Sequence, residues 1–414
     1  MSEDNRQQAN ESRFSNVLRD IVSGSTVISI LAVVLAMAVG AILIALTDHN
    51  VQATSGYFFS RPADTIAAIW QAVSGAYLSL FQGSIYNFSR PNFVDGIRPL
   101  TETLTFATPL IAAGLGVAVA FRAGMFNIGG RGQMLFGAGA AGWVGFSFQL
   151  PPGIHLVVAL VAGILAGALW SGLAGLLKAR TGAHEVIVTI MLNYVAFYLI
   201  SYLLSTKGLL QSPGSNNPQA PGMHPNAIFP KLLGDQFHLT IGFLLVIAAT
   251  VAVWWLLNRS SLGFTFRAVG ENPHAARVAG INVKNTYVYV MLISGALIGM
   301  AGANQVQGVI TTGFTSGIDA GLGFDAITVA LLGRSRPWGV FWAAILFGAF
   351  KAGGFTMQAV EGIPIDIILV VQSMIVLFIA APPLIRAVFR LPQPRNTSLP
   401  KTATLEPKKA VVTK

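Results

Sequence analysis

The sequence predicts an all-α, polytopic membrane protein. Of its 414 residues, 53% are hydrophobic and only 10% are charged, and the mean hydropathy is +0.64. Soluble domains carry about 25% charged residues, so this chain has too few charges to cover a water-exposed surface of its size. Ten apolar runs of about the length that crosses a bilayer follow one another along the chain. Their centres lie near residues 36, 112, 138, 166, 195, 248, 296, 328, 346 and 374.

The runs divide the chain into five predicted parts. A polar tail, 1–25, precedes a first span at 26–47, which is too long for the 7 to 15 residue core of a signal peptide and is predicted to be an anchor. Residues 48–99 hold only a short amphipathic stretch and are predicted to be an external segment. The other nine runs form a core, 100–385. A basic tail, 386–414, is predicted to be disordered and to lie near anionic lipid.

Basic residues indicate the orientation of the chain. If the N-terminus is inside, most of the 26 lysines and arginines, Arg131 among them, fall in cytoplasmic segments. Both termini are therefore predicted to be cytoplasmic. The net charge of +10 then reflects membrane orientation, and no nucleic-acid partner is predicted.

An internal repeat indicates a transporter. The motif from Gly124 through Asn127 follows the second run, and the motif from Gly323 through Asp325 follows the seventh. Runs 2–5 and 7–10 are predicted to form two inverted four-helix halves, with Asn127 and Asp325 as equivalent positions on opposite sides of the membrane. The alternative, that both motifs only share a common helix-end composition, stays open at this point.

The source of energy is predicted to lie outside the chain. Ionisable residues are nearly absent from the centres of the apolar runs, which disfavours an ion-coupled carrier. The chain has no G-x-x-x-x-G-K-[ST] phosphate loop, so uphill transport would need an ATPase in another subunit. With no cysteine and six histidines that lack ligand spacing, no metal, cofactor or catalytic residue is predicted.

The segment 259–285, between the sixth and seventh runs, is the predicted docking site for such a subunit. Asn272 can cap a helix that begins at Pro273, and Gly280 can end it in the left-handed conformation. Small side chains would let this helix seat in a groove, with charged residues at its rim; an ordinary capped loop helix is the alternative. The predicted coupling residues are Arg267, Gly270, Glu271, Asn272, Pro273, Ala275, Ala276, Arg277 and Gly280.

Four motifs carry a family resemblance. They are GENPHAARVAGI from Gly270, AFRAGMFNIGGRGQ from Ala120, HEVIVTIMLNY from His184 and GFDAITVALLGR from Gly323. Together they resemble permease subunits of ATP-binding-cassette (ABC) importers in the branched-chain amino acid and simple-sugar permease superfamily, in its nucleoside and simple-sugar branch. The chain departs from the pattern at Arg131, where relatives usually have an acidic residue, and at His184, where they usually have Asn.

The resemblance implies a non-catalytic transport subunit in the inner (plasma) membrane. Its implied partners are an ABC ATPase subunit, a second permease subunit that makes a heterodimer, an external substrate-binding protein and membrane lipid. The implied substrate is a small neutral polar solute, a nucleoside or simple sugar. The alternatives are a secondary carrier or channel, or a membrane-embedded enzyme or scaffold.

Neutral amides suit such a substrate because they donate and accept hydrogen bonds without holding an ion. The predicted pathway residues are Asn127, Gln133, Asn193, Asn304, Gln305, Gln307, Asp325 and Gln372.

Overall fold

The computed structural model describes residues 25–390, and most of them are helical. Within that range there is no β-strand, only an isolated bridge between Lys231 and Thr240. The predicted tails, 1–25 and 386–414, lie outside the described residues except at their inner ends.

The α-helices are α1 Ser25–Thr47, α2 His49–Ser55, α3 Pro62–Ser84, α4 Phe93–Arg122, α5 Gly130–Ser147, α6 Ile154–Thr181, α7 Glu185–Ser205, α8 Gly242–Arg259, α9 Ser261–Glu271, α10 Pro273–Val278, α11 Val283–Asn304, α12 Leu322–Leu332, α13 Pro337–Glu361, α14 Asp366–Ala380 and α15 Pro382–Val388. A 3₁₀ turn at Pro225–Ala227 and a π-helical turn at Gln305–Val309 complete the helical elements of the described chain.

Helices form at all ten predicted positions, which confirms the all-α polytopic fold. Seven helices in the described part of the chain are long and apolar enough to cross a membrane: α1, α4, α6, α7, α8, α11 with its π turn, and α13. The eighth predicted span is wrong as a full span, because α12 has 11 residues. At 1.5 Å per residue it is about 16 Å long, roughly half the thickness of the hydrocarbon core.

Residues 48–99 are more ordered and closer to the core than the sequence suggested. Helix α3 has 23 residues and packs along α13. Ser79 Oγ donates a hydrogen bond to Glu361 Oε1 at 3.0 Å. The predicted core boundary at residue 100 falls inside α4, which begins at Phe93.

The described residues belong to two compact units. Residues 39–372 make up the larger unit, and the remaining residues, up to 38 and from 373, make up the smaller one. The features that position the site all lie in the larger unit.

Small residues bring α6 and α11 together as antiparallel neighbours. Gly163 of α6 lies against Ala303 of α11, and Gly175 of α6 lies against Met291 of α11. The second contact is three turns later in α6 but three turns earlier in α11, so the two helices run in opposite directions. A Cβ on Gly167 would come within 2.5 Å of the α11 backbone. In membranes such glycine contacts take the place of the hydrophobic effect as the basis of helix association.

Helices α4 and α13 form a second antiparallel pair of the same kind. Gly348 of α13 lies against Ala107 of α4, while Val340 lies against Gly114. In both pairs, the first helix of one predicted half packs on the third helix of the other half. The C-terminal end of α4 and the start of α11 both adjoin the α9–α10 segment, so α4 and α11 run in opposite directions. This exchange of helices supports the inverted relation between the halves.

Candidate transport pathway and coupling segment

Helices α5 and α12 begin against each other inside the protein. A Cβ on Gly130 would lie 2.6 Å from Gly323 O, and a Cβ on Gly323 would lie 2.4 Å from Arg131 N. Only glycine allows backbones to approach this closely. We call this contact, formed by residues 127–133 and 319–325, the junction.

The junction overturns one prediction about topology. Asn127 and Asp325 were expected on opposite sides of the membrane, but each lies within three residues of Gly130 or Gly323, whose backbones touch. The prediction is wrong because the segments 123–129 and 310–321 both lead to helix starts, at Gly130 and Leu322, that lie against each other.

The two helix starts share a local hydrogen bond, in a register that differs from the predicted one. Gly129 N–H donates to Asn127 Oδ1 at 2.9 Å, and Gly321 N–H donates to Asp319 Oδ2 at 3.3 Å. Both acceptors stand three residues before their helices. The structural equivalent of Asn127 is therefore Asp319, and Asp325 lies in the first turn of α12.

Asn127 ties the start of α5 to the middle of α11. Its Nδ2 donates to Ser294 Oγ at 2.8 Å, and Gln133 Nε2 donates to Asn127 Oδ1 at 3.0 Å. Ser294 lies about half-way along Val283–Asn304, and its hydroxyl donates to Gly116 O at 2.7 Å. The segment that carries Asn127 thus reaches the depth of the helix centres.

Asn193 of α7 also hydrogen-bonds to the backbone at the start of α5. Its Oδ1 accepts a hydrogen bond from Gly132 N–H at 2.8 Å, and its Nδ2 donates to Ile128 O at 2.9 Å. Both groups belong to backbone that an irregular helix start leaves without helical partners. In this conformation Asn193 therefore supports the junction.

The seven predicted pathway amides are all buried; they are Asn127, Gln133, Asn193, Asn304, Gln305, Gln307 and Gln372. Gln307 Nε2 donates to Leu156 O and to Ala227 O, at 3.1 and 2.9 Å. The side-chain oxygens of Gln305 and Gln307 are buried with no hydrogen-bond partner among the described residues. These two acceptors lie at the π-helical turn and are free to receive a hydrogen bond.

Arg131 does not lie in a cytoplasmic loop, as its sequence position had suggested. Its Nε is 3.3 Å from Asp319 Oδ1, and its guanidinium lies 4.6 Å from the centre of the Phe197 ring. The Asp319 side chain is 4% exposed. Asp319 was missed because it falls in a connecting segment and its partner is 188 residues away. The junction therefore contains an arginine–aspartate pair.

The predicted coupling helix is present. Asn272 Oδ1 accepts hydrogen bonds from His274 N–H and Ala275 N–H, at 2.9 and 3.1 Å, and α10 begins at Pro273. Gly280, with φ of +87°, follows its end. The cap and the terminating glycine form as the local sequence predicts.

The outward face of α10 differs from the predicted set. Ala276 is buried against Val269 and Val283, so it faces the protein and not a partner. It is adjacent to Ala275 in sequence, and neighbouring helical residues point about 100° apart. Val278, which the sequence analysis did not select, is 90% exposed.

Two predicted coupling residues face the protein's own helices. A Cβ on Gly270 would lie 2.4 Å from Arg122 O, so α9 abuts the end of α4 directly. The Arg267 guanidinium donates to Leu257 O at the end of α8. The segment made of α9 and α10 (residues 261–280), which we call the coupling segment after its predicted role, thus packs on the ends of α4 and α8.

Comparison with known proteins identifies this architecture. Residues 100–380 match the family described as the permease component of branched-chain amino acid transport systems. The chain belongs to that family. The permease is 37% identical over 363 residues to the guanosine ABC transporter permease protein NupP of Bacillus subtilis, covering 87% of this chain and 94% of the relative.

Two further relatives match smaller shares of the chain. The glucose ABC transporter permease protein of Haloferax volcanii is 36% identical over 68% of this chain and 75% of its own length. A second Bacillus subtilis guanosine ABC transporter permease protein, NupQ, is 31% identical over 59% of this chain and 78% of its own length. No solved structure matches the chain.

Family membership confirms the transport class. The permease is a transport subunit of an ABC system and a multi-pass protein of the plasma membrane. The alternative of a secondary carrier or channel is wrong.

Proposed function

We propose that the permease forms one half of the pathway of an importer that takes up a small neutral polar solute of the nucleoside or simple-sugar class. A separate ATPase subunit docks on the cytoplasmic, exposed face of α10 and drives alternating access. An external binding protein delivers the solute. Both termini of the permease are cytoplasmic in this arrangement, and the chain itself is not catalytic.

The contact between Gly270 and the end of α4 is the observation that carries the proposal. The backbone of Gly270 touches the backbone of Arg122 and Ala123, so no flexible side chain separates α9 from the end of α4. A displacement of α9 would therefore move the end of α4. The chain continues from Ala123 through three residues to the junction, where Asn127 bonds to α11. Force applied by an ATPase at α10 would therefore reach the junction through backbone.

The proposed substrate class is supported by the names of two relatives and by the hydrogen-bonding chemistry of two buried side chains. The relatives are named for guanosine and glucose, which are both uncharged molecules with several hydroxyl groups. The unpartnered oxygens of Gln305 and Gln307 are acceptors that a hydroxyl could satisfy. A buried acceptor without a partner costs about 1–3 kcal/mol, which a bound hydroxyl or water would recover.

The second permease chain is proposed to be a different polypeptide. Two permease proteins named for the same solute in one organism both resemble this chain, at 37% and 31% identity. A pathway built from two related but unequal halves accounts for such a pair.

A charge placed on the docking face tests the coupling assignment. Ala275→Asp puts a carboxylate on the exposed face of α10, where it would have to be desolvated against the ATPase. We expect substrate uptake by the complete transporter to fall at least about tenfold, because losing about 1.4 kcal/mol of docking free energy changes an equilibrium tenfold.

Ala53→Asp is the matched control, since Ala53 is also an exposed alanine on a short helix, α2. It should leave uptake near the wild-type level, and both variants should insert at equal amounts. Uptake retained by Ala275→Asp, or lost equally in both variants, would contradict the assignment.

A further inference from the structure

A basic cavity lies at the ends of two membrane-spanning helices and the start of a third. Its volume is about 460 Å³, and it is lined by the last turns of α4 and α8, the start of α13 and one side of α9. Three arginines face it, Arg122, Arg267 and Arg336, together with Trp254 and Trp338. We call it the arginine cavity.

The arginine cavity carries concentrated positive charge. No aspartate or glutamate is among its lining residues, and Arg267 and Arg336 are close enough to Arg122 for their charges to repel it. Three like charges at one site destabilise one another unless an anion lies between them. The cavity therefore fits an anionic ligand.

Two of the guanidiniums are held in place by backbone. Arg122 Nε donates to Ser335 O at 2.9 Å, and the Arg267 guanidinium donates to Leu257 O. Each guanidinium has five N–H donors in a planar fork that matches phosphate oxygens. Arg122 and Arg267 each use one N–H in these bonds, so most of their N–H donors remain for a ligand. The backbone bonds hold the two guanidiniums in position before a ligand binds.

The helix ends that line the cavity place it where lipid headgroups are expected. Three of its four lining helices are candidate spans, and they contribute only their terminal turns. Trp254 and Trp338 are 38% and 42% exposed beside it. Tryptophans concentrate at the membrane–water boundary, where the phosphates of phospholipids also lie.

We propose that the arginine cavity binds the phosphate of an anionic phospholipid headgroup. Free inorganic phosphate shares the chemistry of the headgroup, but it would gain nothing from two exposed tryptophans beside a lipid-facing surface. Basic pockets between membrane helices recognise anionic headgroups in this way. This site is distinct from the exposed face of α10 and goes beyond the proposed transport function.

Lipid binding to the purified, complete transporter tests the site. Phosphatidylglycerol is titrated in a neutral detergent, and bound lipid is counted by native mass spectrometry. Arg336→Gln removes an exposed guanidinium that, within the described part of the chain, makes no backbone bond of the kind that fixes the other two. We expect the highest-affinity phosphatidylglycerol to bind about fivefold more weakly, and Arg336→Lys to recover most of this loss.

Arg259→Gln is the matched control, because Arg259 is also an exposed arginine at a helix end but does not line the cavity. It should leave the highest affinity unchanged. Equal losses in both variants, or none in Arg336→Gln, would overturn the proposal. Displacement of the lipid by millimolar inorganic phosphate would overturn the lipid assignment and identify free phosphate as the ligand.

Discussion

The ion pair at the junction is formed by residues that the sequence separates completely. Arg131 and Asp319 are 188 positions apart, and each lies within three residues of the start of one of the two helices that meet at the junction. The positive-inside rule assigns an arginine by its neighbours in sequence, so it placed Arg131 in the cytoplasm. In the structure, Arg131 is the partner of the buried carboxyl group of Asp319.

A double-mutant cycle measures that pairing. Arg131→Gln leaves a buried carboxylate without its partner, and Asp319→Asn leaves the arginine without its counter-charge, so each single change should lower the thermal stability of the permease. The double variant should recover part of the loss, with a coupling free energy of about 1 kcal/mol because Arg131 keeps some solvent contact. Strictly additive losses in the thermal unfolding curves would show that the two residues do not act as a pair.

Helices were predictable where their signals are local. Apolar runs located ten helices but not α3, and the Asn272 cap with Pro273 and Gly280 located α10, because each of these signals lies within the element it defines. The half-length of α12 was not predictable. Its apolar residues look like part of a span, and only the contact of Gly323 with Gly130, nearly two hundred residues away, shows that the helix begins inside the protein.

The junction should tolerate no side chain at its contact point. Gly323→Ala would place a Cβ 2.4 Å from Arg131 N, which the backbone must move to relieve. We expect a loss of about 1–3 kcal/mol in stability, the usual range for overpacking, and reduced uptake. Gly317→Ala is the control, since its Cβ would have no neighbour closer than 3.7 Å. Equal thermal stability of the two alanine variants would contradict the close contact.

Across the whole molecule, the two halves exchange helices around the junction. Helix α6 packs on α11 and α13 packs on α4, so neither half is a separate body. Of the amides predicted to line the pathway, Asn127, Gln133 and Asn193 make hydrogen bonds at the junction. These hydrogen-bond partners depend on packing that residue type alone does not encode.

The central claim is that the coupling segment receives the ATPase. The chain has no cysteine, so a single introduced thiol reports one position. In membranes that contain the complete transporter, a thiol-to-amine cross-linker at Ala275→Cys should yield a product that contains the permease and the ATPase subunit, and the product should disappear when the ATPase is omitted. The same reagent at Ala53→Cys should yield no such product. A product that contains the ATPase from Ala53→Cys and not from Ala275→Cys would contradict the account.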